Sequence, residues 1–327
     1  MAVTRLLGRS AMPVSAMGMG CWAIGGPLWR GEAAVGWSTV DDAESTRAIH
    51  AALEMGITFF DTADVYGAGH SESVLGKALA SRSERVTIAT KFGNVFDAKS
   101  KQIVGSDASP AYIRRACEAS RKRLGRDTID LYQLHIGNLA EAEVSPVLDT
   151  LDALVAEGKV RACGWSTDDP ERAALFAARP NCTSVQHRLN VLEDNAAMIS
   201  LCEQRNLASI NRTALAMGLL TGKFGPKSTL PDDDVRGRKA PSWLNFFVDG
   251  HPSPELLRRI AAIRDILTSE GRTLAQGSLA WLWARSPQTI PIPGFKTVKQ
   301  VQENCAAMDF GPLEPEQMDA IDRLLER

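Results

Sequence analysis

The chain has 327 residues, of which 44% are hydrophobic and 23% are charged, and its formal net charge is -2. A chain of this length buries a large core, and it is long for one ordinary domain unless the fold is a closed α/β barrel. The small net charge, without blocks of like charge, argues against nucleic-acid and anionic-membrane partners. No segment has the roughly 18 apolar residues of a membrane span or the apolar core of a signal peptide, which predicts a cytoplasmic protein.

The six cysteines and five histidines are scattered along the chain, without a Cys-x-x-Cys pair or the spacing of metal ligands. Free cysteines of this kind usually pack as small apolar side chains. The sequence therefore predicts no metal site.

Short apolar or β-branched runs alternate with longer segments of helical spacing along most of the chain. A hairpin is expected over residues 4–14. Strands are expected at residues 17–22, 59–60, 86–91, 129–135, 160–166, 183–189, 207–212 and 289–292. Helices are expected at residues 41–55, 71–79, 110–124, 146–157, 170–178, 195–205, 254–270, 274–285, 298–308 and 315–325. Eight strands separated by helices, without a linker, predict a single α/β domain over residues 1–327, a (β/α)8 barrel with an amino-terminal β-hairpin.

Residues 225–251 form a long irregular stretch after the seventh predicted strand, with several prolines and glycines and an Asp232-Asp233-Asp234 run. Loops of that length are uncommon unless they serve a functional site. We predict that this stretch is a lid loop.

The segment Gly18-Met-Gly20-Cys-Trp-Ala23 offers an alternative, because it matches the Gly-x-Gly-x-x-Ala fingerprint of dinucleotide-binding folds. That fingerprint requires a helix directly after the turn, since the helix amino terminus holds the pyrophosphate. The following residues 24–31 include Pro27 and several glycines and cannot form a regular helix. A strand that ends in a glycine-rich loop is therefore favoured over a Rossmann fold.

Three consecutive predicted strands end next to ionisable residues. Asp61 and Tyr66 follow the second strand, Lys91 ends the third and His135 ends the fourth. Barrel enzymes carry their sites at the carboxyl ends of the strands, so these four side chains are expected to converge. Each residue taken singly also has a purely structural interpretation. Asp61 and Lys91 would form an ion pair in the barrel interior, Tyr66 would line a loop, and His135 would be a hydrogen-bonded core histidine.

The four residue types suit proton transfer to a carbonyl oxygen. A buried lysine ammonium lowers the pKa of a neighbouring tyrosine from about 10, and a carboxylate keeps that lysine charged. Such a tyrosine gives or takes a proton near neutral pH, while a histidine nitrogen orients the carbonyl. None of these groups donates a hydride, so a redox reaction requires a bound cofactor.

Six segments occur in an order and spacing that together are highly specific. They are FFDTADVYG at 59–67, TKFG at 90–93, LYQLH at 131–135, GWS at 164–166, GLLTGKF at 218–224, and IPIPGFK at 290–296 with Glu303 and Asn304. On these segments the chain resembles the aldo-keto reductase superfamily over nearly its whole length. The resemblance implies a TIM barrel and NADPH-dependent interconversion of carbonyls and alcohols. It makes Tyr66 the general acid, with Lys91 and Asp61 tuning it and His135 orienting the substrate carbonyl.

The resemblance also implies which residues bind NADPH/NADP+. Ser166 and Gln186 match the ligands of the nicotinamide carboxamide, and their side chains have the donors and acceptors that an amide requires. Leu215, Gly218 and Lys223 match the segment along the pyrophosphate, where a lysine charge suits phosphate.

Further positions match the adenosine end of the cofactor. Lys296 and Gln300 match positions near the 2′-phosphate, and an ammonium there favours NADPH over NADH. Glu303 and Asn304 match positions near the adenine. Arg236, in the predicted lid, is either a further phosphate contact or a solvated loop arginine.

Two positions depart from the family pattern at the nicotinamide. Arg212 stands where many members have an aromatic residue that stacks on the nicotinamide ring, and a planar guanidinium is also able to stack. Thr167 stands where many members have asparagine. Both are kept as cofactor-binding candidates, as is Trp22 in the glycine-rich loop.

The sequence indicates less about the substrate than about the cofactor. Several aromatic residues are candidates for an apolar pocket above the nicotinamide: Trp22, Trp29, Trp37, Phe92, Phe96, Trp243, Phe246 and Phe247. The predicted partner is a small-molecule aldehyde, ketone or keto sugar. Two alternatives remain, an NADPH-binding regulatory subunit with little turnover and a dehydrogenase that oxidises alcohols or sugars. The oligomeric state is left open.

Overall fold

The computed structural model describes residues 4–80, 82 and 86–327, and its centre is a sheet of eight parallel strands. The strands are β1 (Met19–Gly20), β2 (Phe59–Asp61), β3 (Thr87–Phe92), β4 (Ile129–Leu134), β5 (Val160–Ser166), β6 (Cys182–Arg188), β7 (Ala208–Arg212) and β8 (Thr289–Pro291). Each strand pairs with the next one in the chain. A bridge between Gly20 and Gly294, with Gly18 N–H donating to Pro291 O at 2.9 Å, joins the two edges. The predicted (β/α)8 TIM barrel is confirmed.

Ten α-helices accompany the barrel strands in the described residues. They are α1 (Asp42–Glu54), α2 (His70–Leu79), α3 (Pro110–Leu124), α4 (Glu141–Ala156), α5 (Pro170–Ala177), α6 (Ala196–Arg205), α7 (Pro254–Leu267), α8 (Leu274–Arg285), α9 (Val298–Ala306) and α10 (Pro315–Leu324). Local sequence explains several starts, because Asp41, Ser109 and Asn195 each cap a helix with a side-chain oxygen. In the described part of the chain, no helix combines the length and the apolar composition needed to cross a bilayer.

Helix α4 corrects the sequence prediction, which placed its start at Pro146. The helix begins at Glu141 and contains Pro146 within it. A proline normally marks a first turn because it lacks an N–H group. Here the chain tolerates the one missing backbone hydrogen bond, because the helix buries Val147, Leu151 and Leu154 against the barrel.

The amino-terminal hairpin closes the lower end of the barrel. Its strands Thr4–Leu6 and Pro13–Ser15 pair antiparallel, as predicted. Its side chains Leu7, Met12 and Val14 join an apolar cluster with residues of six barrel strands. The barrel interior is thus filled below, and its opposite end is open to a site.

Two further structures cover the upper end. The first is a four-stranded sheet that the sequence analysis did not predict, made of Trp29–Arg30, Ala33–Ala34, Asn94–Asp97 and Gln102–Ser106. The second is the predicted lid, residues 225–251, which is irregular apart from the pairing of Phe247–Val248 with His251–Pro252. The lid is tied to the loop after β1 by the Val235 N–H, which donates to Gly36 O at 2.9 Å.

Candidate active site

A cavity of about 800 Å³ lies at the carboxyl ends of the barrel strands. Residues at or just after the ends of the strands form its floor, including Asp61, Ser166 and Gly294. Lid residues and the four-stranded sheet contribute its walls. This is the place where the sequence predicted a site.

Three of the predicted catalytic residues meet at one buried ammonium group. Lys91 Nζ donates to Asp61 Oδ1 at 2.6 Å, to Thr62 O at 2.7 Å and to the Tyr66 hydroxyl at 3.2 Å. Lys91 is fully buried behind the cavity wall, and Tyr66 lines the cavity. Lysine therefore acts on this site through Tyr66 and does not face the cavity itself.

Asp61 is held by more than its lysine partner. Its second oxygen, Oδ2, accepts hydrogen bonds from the side-chain amides of Gln133 at 3.2 Å and Gln186 at 2.7 Å. A buried carboxylate with three donors is held in one position. Gln186 was predicted to bind the nicotinamide carboxamide; it lines the cavity, with its amide group turned toward Asp61.

The protonation of Tyr66 differs from the expectation. Burial raises the pKa of Tyr66 above its ordinary value and outweighs the neighbouring Lys91 ammonium, which acts to lower it. For Lys91 burial acts to lower the pKa, but the Asp61 carboxylate and the Tyr66 hydroxyl together outweigh burial and raise the pKa. The prediction of a net lowered tyrosine pKa is therefore wrong for the chain alone, and Tyr66 rests as a phenol beside a charged ammonium.

His135 completes the group from the end of β4. Its ring stands edge-on to the Tyr66 ring, with centroids 5.8 Å apart and an interplanar angle of 84°. Burial, together with the positive charges of Lys91 and Arg212, lowers the pKa of His135 well below its ordinary value. The imidazole is therefore neutral, and neither ring nitrogen has a hydrogen-bond partner among the described residues. A neutral imidazole in this position is free to donate to a ligand oxygen.

The opposite end of the cavity is strongly positive. Lys223, Arg236 and Lys296 all line it, and the carboxylate of Asp234 pairs with Arg236 at 2.7 Å. Trp37 lies between the cations, with its ring 4.5 Å from the Arg236 guanidinium carbon and 5.4 Å from Lys296 Nζ. Burial lowers the pKa values of both lysines, and the Arg236 charge adds to that effect. Such a surplus of positive charge suits a phosphorylated ligand.

Backbone strain is concentrated in the loop that leads from β7 to this positive end. Thr213, Ala216 and Met217 are non-glycine residues with φ of 56°, 47° and 55°, and Gly218 has φ of 97°. A Cβ atom added at Gly218 would lie 3.2 Å from the Phe224 ring. Left-handed conformations of this kind usually persist where a site requires them. Thr213, Met217 and Gly218 of this loop also line the cavity.

The model of the Aldo/keto reductase family matches residues 16–326.

The chain belongs to the aldo/keto reductase family.

Three relatives illustrate the match. The protein yakc of Schizosaccharomyces pombe, named an aldo-keto reductase with NADP(+), is 31% identical over 93% of this chain and 86% of its own length. The structure of the glycerol dehydrogenase AKR11B4 from Gluconobacter oxydans is 30% identical with a TM-score of 0.82, covering 99% of this chain and 95% of that one. The holo form of the aldo-keto reductase AKR11C1 from Bacillus halodurans is 28% identical with a TM-score of 0.79, over 99% and 96% of the two chains.

Most residues that the aldo-keto reductase resemblance implied for cofactor binding do line the cavity. They are Trp22, Ser166, Gln186, Arg212, Leu215, Gly218, Lys223, Arg236, Lys296, Gln300, Glu303 and Asn304. The exception is Thr167, whose hydroxyl donates to Gly137 O at 2.8 Å. Thr167 is buried and does not line the cavity, so its side chain is not placed to contact a ligand there.

Arg212, the departure from the aldo-keto reductase pattern, is held by a residue that the sequence analysis missed. Its Nη2 atom lies 2.5 Å from Asp168 Oδ2, and both side chains line the cavity. Asp168 Oδ1 also accepts from the Arg188 N–H at 2.7 Å. No motif indicated Asp168, because its partner lies two barrel strands further along the chain. Stacking of Arg212 on a nicotinamide ring stays a prediction.

The aromatic candidates for the substrate pocket divide into two groups. Trp22, Trp37 and Trp243 line the cavity, and the Trp22 ring lies 6.0 Å from the Tyr66 ring in a stacked orientation. The others pack elsewhere and do not line it: Trp29, Phe92, Phe96, Phe246 and Phe247. Side-chain direction separates the groups, and residue type alone does not reveal it.

Among the described residues, no cluster of histidine, cysteine and acidic side chains is placed to hold a metal ion, and all six cysteines are buried and free.

Proposed function

We propose that this chain reduces the carbonyl group of an aldehyde, ketone or keto sugar, with Tyr66 as the proton donor. One observation carries the proposal. Tyr66 lines a cavity with apolar walls, and its hydroxyl lies 3.2 Å from the Lys91 ammonium. Its ring stands edge-on to the ring of a neutral His135. A phenol with that environment is a proton donor for an oxygen that develops negative charge.

The chain is an NADP-dependent oxidoreductase, and the residues at the positive end of the cavity fit that cofactor. Lys223, Arg236 and Lys296 supply the charge that its phosphates require, and Trp37 supplies an aromatic surface between them. When bound, NADPH supplies the hydride that reaches the carbonyl carbon. Ser166 and Gln186 line the cavity, and Gln186 donates to Asp61 beside the Lys91–Tyr66 pair, which supports their assignment to the nicotinamide carboxamide.

The protein side chains move the proton. His135 donates a hydrogen bond to the carbonyl oxygen and orients the carbonyl group. Tyr66 then gives its hydroxyl proton to that oxygen, and the C=O double bond becomes an alcohol C–OH. The Lys91 ammonium stabilises the phenolate that remains, and Asp61 keeps the ammonium charged and in place. Burial of the whole group strengthens these interactions, since water does not screen them.

The same groups run the reaction in reverse, and one observation favours considering that direction. The Gluconobacter oxydans relative, at 30% identity and a TM-score of 0.82, is named a glycerol dehydrogenase. In the oxidative direction the Tyr66 phenolate accepts the proton of a substrate hydroxyl. The direction that prevails in the cell follows the cofactor ratio, because one site serves both.

A fluorescence titration with NADPH and with NADH tests the proposal first. We expect tighter binding of NADPH, followed by its oxidation when a panel of aldehydes, ketones and keto sugars is added. The reverse assay uses NADP+ with the corresponding alcohols. Tight binding without turnover in either direction would contradict the proposal and would instead support a regulatory subunit that holds the cofactor.

A further inference from the structure

The charges on the cavity wall are not evenly compensated. Six cationic side chains line the cavity, and three of them form ion pairs: Arg188 with Glu193, Arg212 with Asp168 and Arg236 with Asp234. The other three have no acidic partner among the described residues: Arg30, Lys223 and Lys296. The two lysines belong to the positive end that suits the cofactor phosphates. Arg30 is left without such an explanation.

Arg30 lies at the catalytic end of the cavity. Its Nη2 atom donates to Asn94 Oδ1 at 3.3 Å, and Asn94 Nδ2 donates to His135 O at 3.3 Å. One amide side chain therefore connects the guanidinium to the backbone of the residue that faces the substrate carbonyl. The charge of Arg30 also contributes to the lowered pKa of His135, which is consistent with this closeness.

The surface between Arg30 and Tyr66 is mainly apolar. Leu28, Val35, Val65 and Ile103 line it, and the small sheet that carries Arg30 also carries Ile103. The Trp29–Arg30 strand is paired on both sides, with Ala33–Ala34 and with Gln102, so its backbone position is fixed. A guanidinium that is held at the rim of an apolar chamber is suited to bind a carboxylate by two parallel hydrogen bonds.

We propose that the preferred substrate is a carbonyl compound that also carries a carboxylate, which Arg30 binds while Tyr66 and His135 hold the carbonyl oxygen. A single guanidinium beside one neutral amide matches a monoanion better than a phosphate dianion, which would require further cations. The proposal deepens the proposed function and rests on it.

Matched substrate pairs test the proposal. The specificity constant kcat/KM is measured with NADPH for 4-carboxybenzaldehyde and for benzaldehyde, which differ only in the carboxylate. We expect the wild-type chain to prefer the carboxylated aldehyde by about tenfold or more, a typical effect of one charge-assisted pair. We expect Arg30→Gln to lower kcat/KM for 4-carboxybenzaldehyde much more than kcat/KM for benzaldehyde, so that the preference is lost, and Arg30→Lys to retain part of the preference.

A control variant separates a specific contact from general attraction of anions. Arg238→Gln makes the same change in an exposed lid residue that does not line the cavity, and we expect it to keep the full preference. An equal loss in both arginine variants, or a wild-type chain that treats the two aldehydes alike, overturns the role of Arg30.

A binding measurement keeps this test independent of turnover. The unreactive analogues 4-carbamoylbenzoate and benzamide are titrated into the NADP+ complex by calorimetry. We expect the carboxylated analogue to bind more tightly to the wild-type chain and equally weakly to Arg30→Gln. Failure to reduce either aldehyde would contradict the proposed function, whereas equal binding of both analogues to the wild-type chain would contradict the carboxylate site.

Discussion

The ammonium nitrogen of Lys91 lies 3.2 Å from the hydroxyl oxygen of Tyr66. The ammonium is also bound by Asp61 and by the carbonyl oxygen of Thr62, so all three of its donors are directed. Burial keeps Tyr66 protonated at rest, and the fixed positive charge stabilises the phenolate only when the proton leaves. A group arranged in this way stabilises the transition state of proton transfer more than the resting state.

In the proposed mechanism, Tyr66→Phe removes the proton donor and little else. We expect kcat for carbonyl reduction to fall by about 10² to 10⁴, while the dissociation constant of NADPH changes by less than about threefold. Steady-state kinetics and a fluorescence titration measure the two effects. Tyr132→Phe is the matched control, because its hydroxyl is buried without a hydrogen-bond partner among the described residues. We expect that control to keep full activity; a Tyr66→Phe variant that does so as well contradicts the assigned role.

Lys91→Met leaves the Asp61 carboxylate buried without its ionic partner. The ion pair has side-chain exposures of 0% and 3%, so solvent does not compensate for the loss. We expect the free energy of unfolding to fall by about 3 kcal/mol, near the lower end for a broken buried pair, because Gln133 and Gln186 still donate to Asp61. Urea denaturation measures the change. The double variant Lys91→Met with Asp61→Asn is expected to be more stable than the single one, and a further loss of stability would contradict the ion-pair account.

The pH dependence should differ between the two directions. In the proposed mechanism, reduction needs protonated Tyr66 and neutral His135. The pKa of Tyr66 is raised, and the pKa of His135 is well below its ordinary value. We therefore expect kcat/KM for reduction to be nearly constant from about pH 6.5 to 9. Oxidation needs the phenolate, so its rate rises with pH as Tyr66 loses its proton. Kinetics measured in both directions across this pH range test the expectation. A reduction rate that falls toward lower pH with a midpoint at about pH 6.5 would mean that His135 becomes charged at the ordinary histidine pKa, which would contradict it.

Lys296→Met tests whether the positive end of the cavity binds the cofactor phosphates. Removing this ammonium is expected to weaken NADPH binding by about 10- to 100-fold, which is the range for one charge-assisted contact. NADH binding should change far less if the lysine contacts the 2′-phosphate. Lys299→Met is the matched control, because Lys299 is an exposed residue of helix α9 that does not line the cavity, and it should leave both affinities unchanged. Equal weakening of NADPH binding and NADH binding would mean that Lys296 contacts a phosphate that both cofactors have.

The barrel was predictable because each of its parts has a local cause. Strands such as Ile129–Leu134 are buried at every position, and most of their residues are therefore apolar, with Asp130 and Gln133 as exceptions in this strand. Helices such as Pro110–Leu124 carry a serine cap, a first-turn proline and a final glycine, and both of its predicted ends match the structure. The convergence of Asp61, Tyr66, Lys91 and His135 then follows from barrel geometry.

The features that were missed depend on contacts between distant segments. The Trp29–Arg30 and Ala33–Ala34 strands have two residues each, which is too short for any periodicity, and they form only because Gln102–Ser106 pairs beside them. The direction of the Thr167 side chain is set by the carbonyl of Gly137. The net pKa shift of Tyr66 depends on the depth of its burial, a quantity that the motif does not contain.

The backbone hydrogen bond from Val235 to Gly36 has a kinetic consequence. The next residues along the two segments, Arg236 and Trp37, both line the positive end of the cavity, so the bond joins two of its walls. If NADPH binds between these walls as proposed, the bond restrains its exchange with solvent. We therefore expect an ordered reaction in which the cofactor binds first and dissociates last, with its release setting the pace of each catalytic cycle.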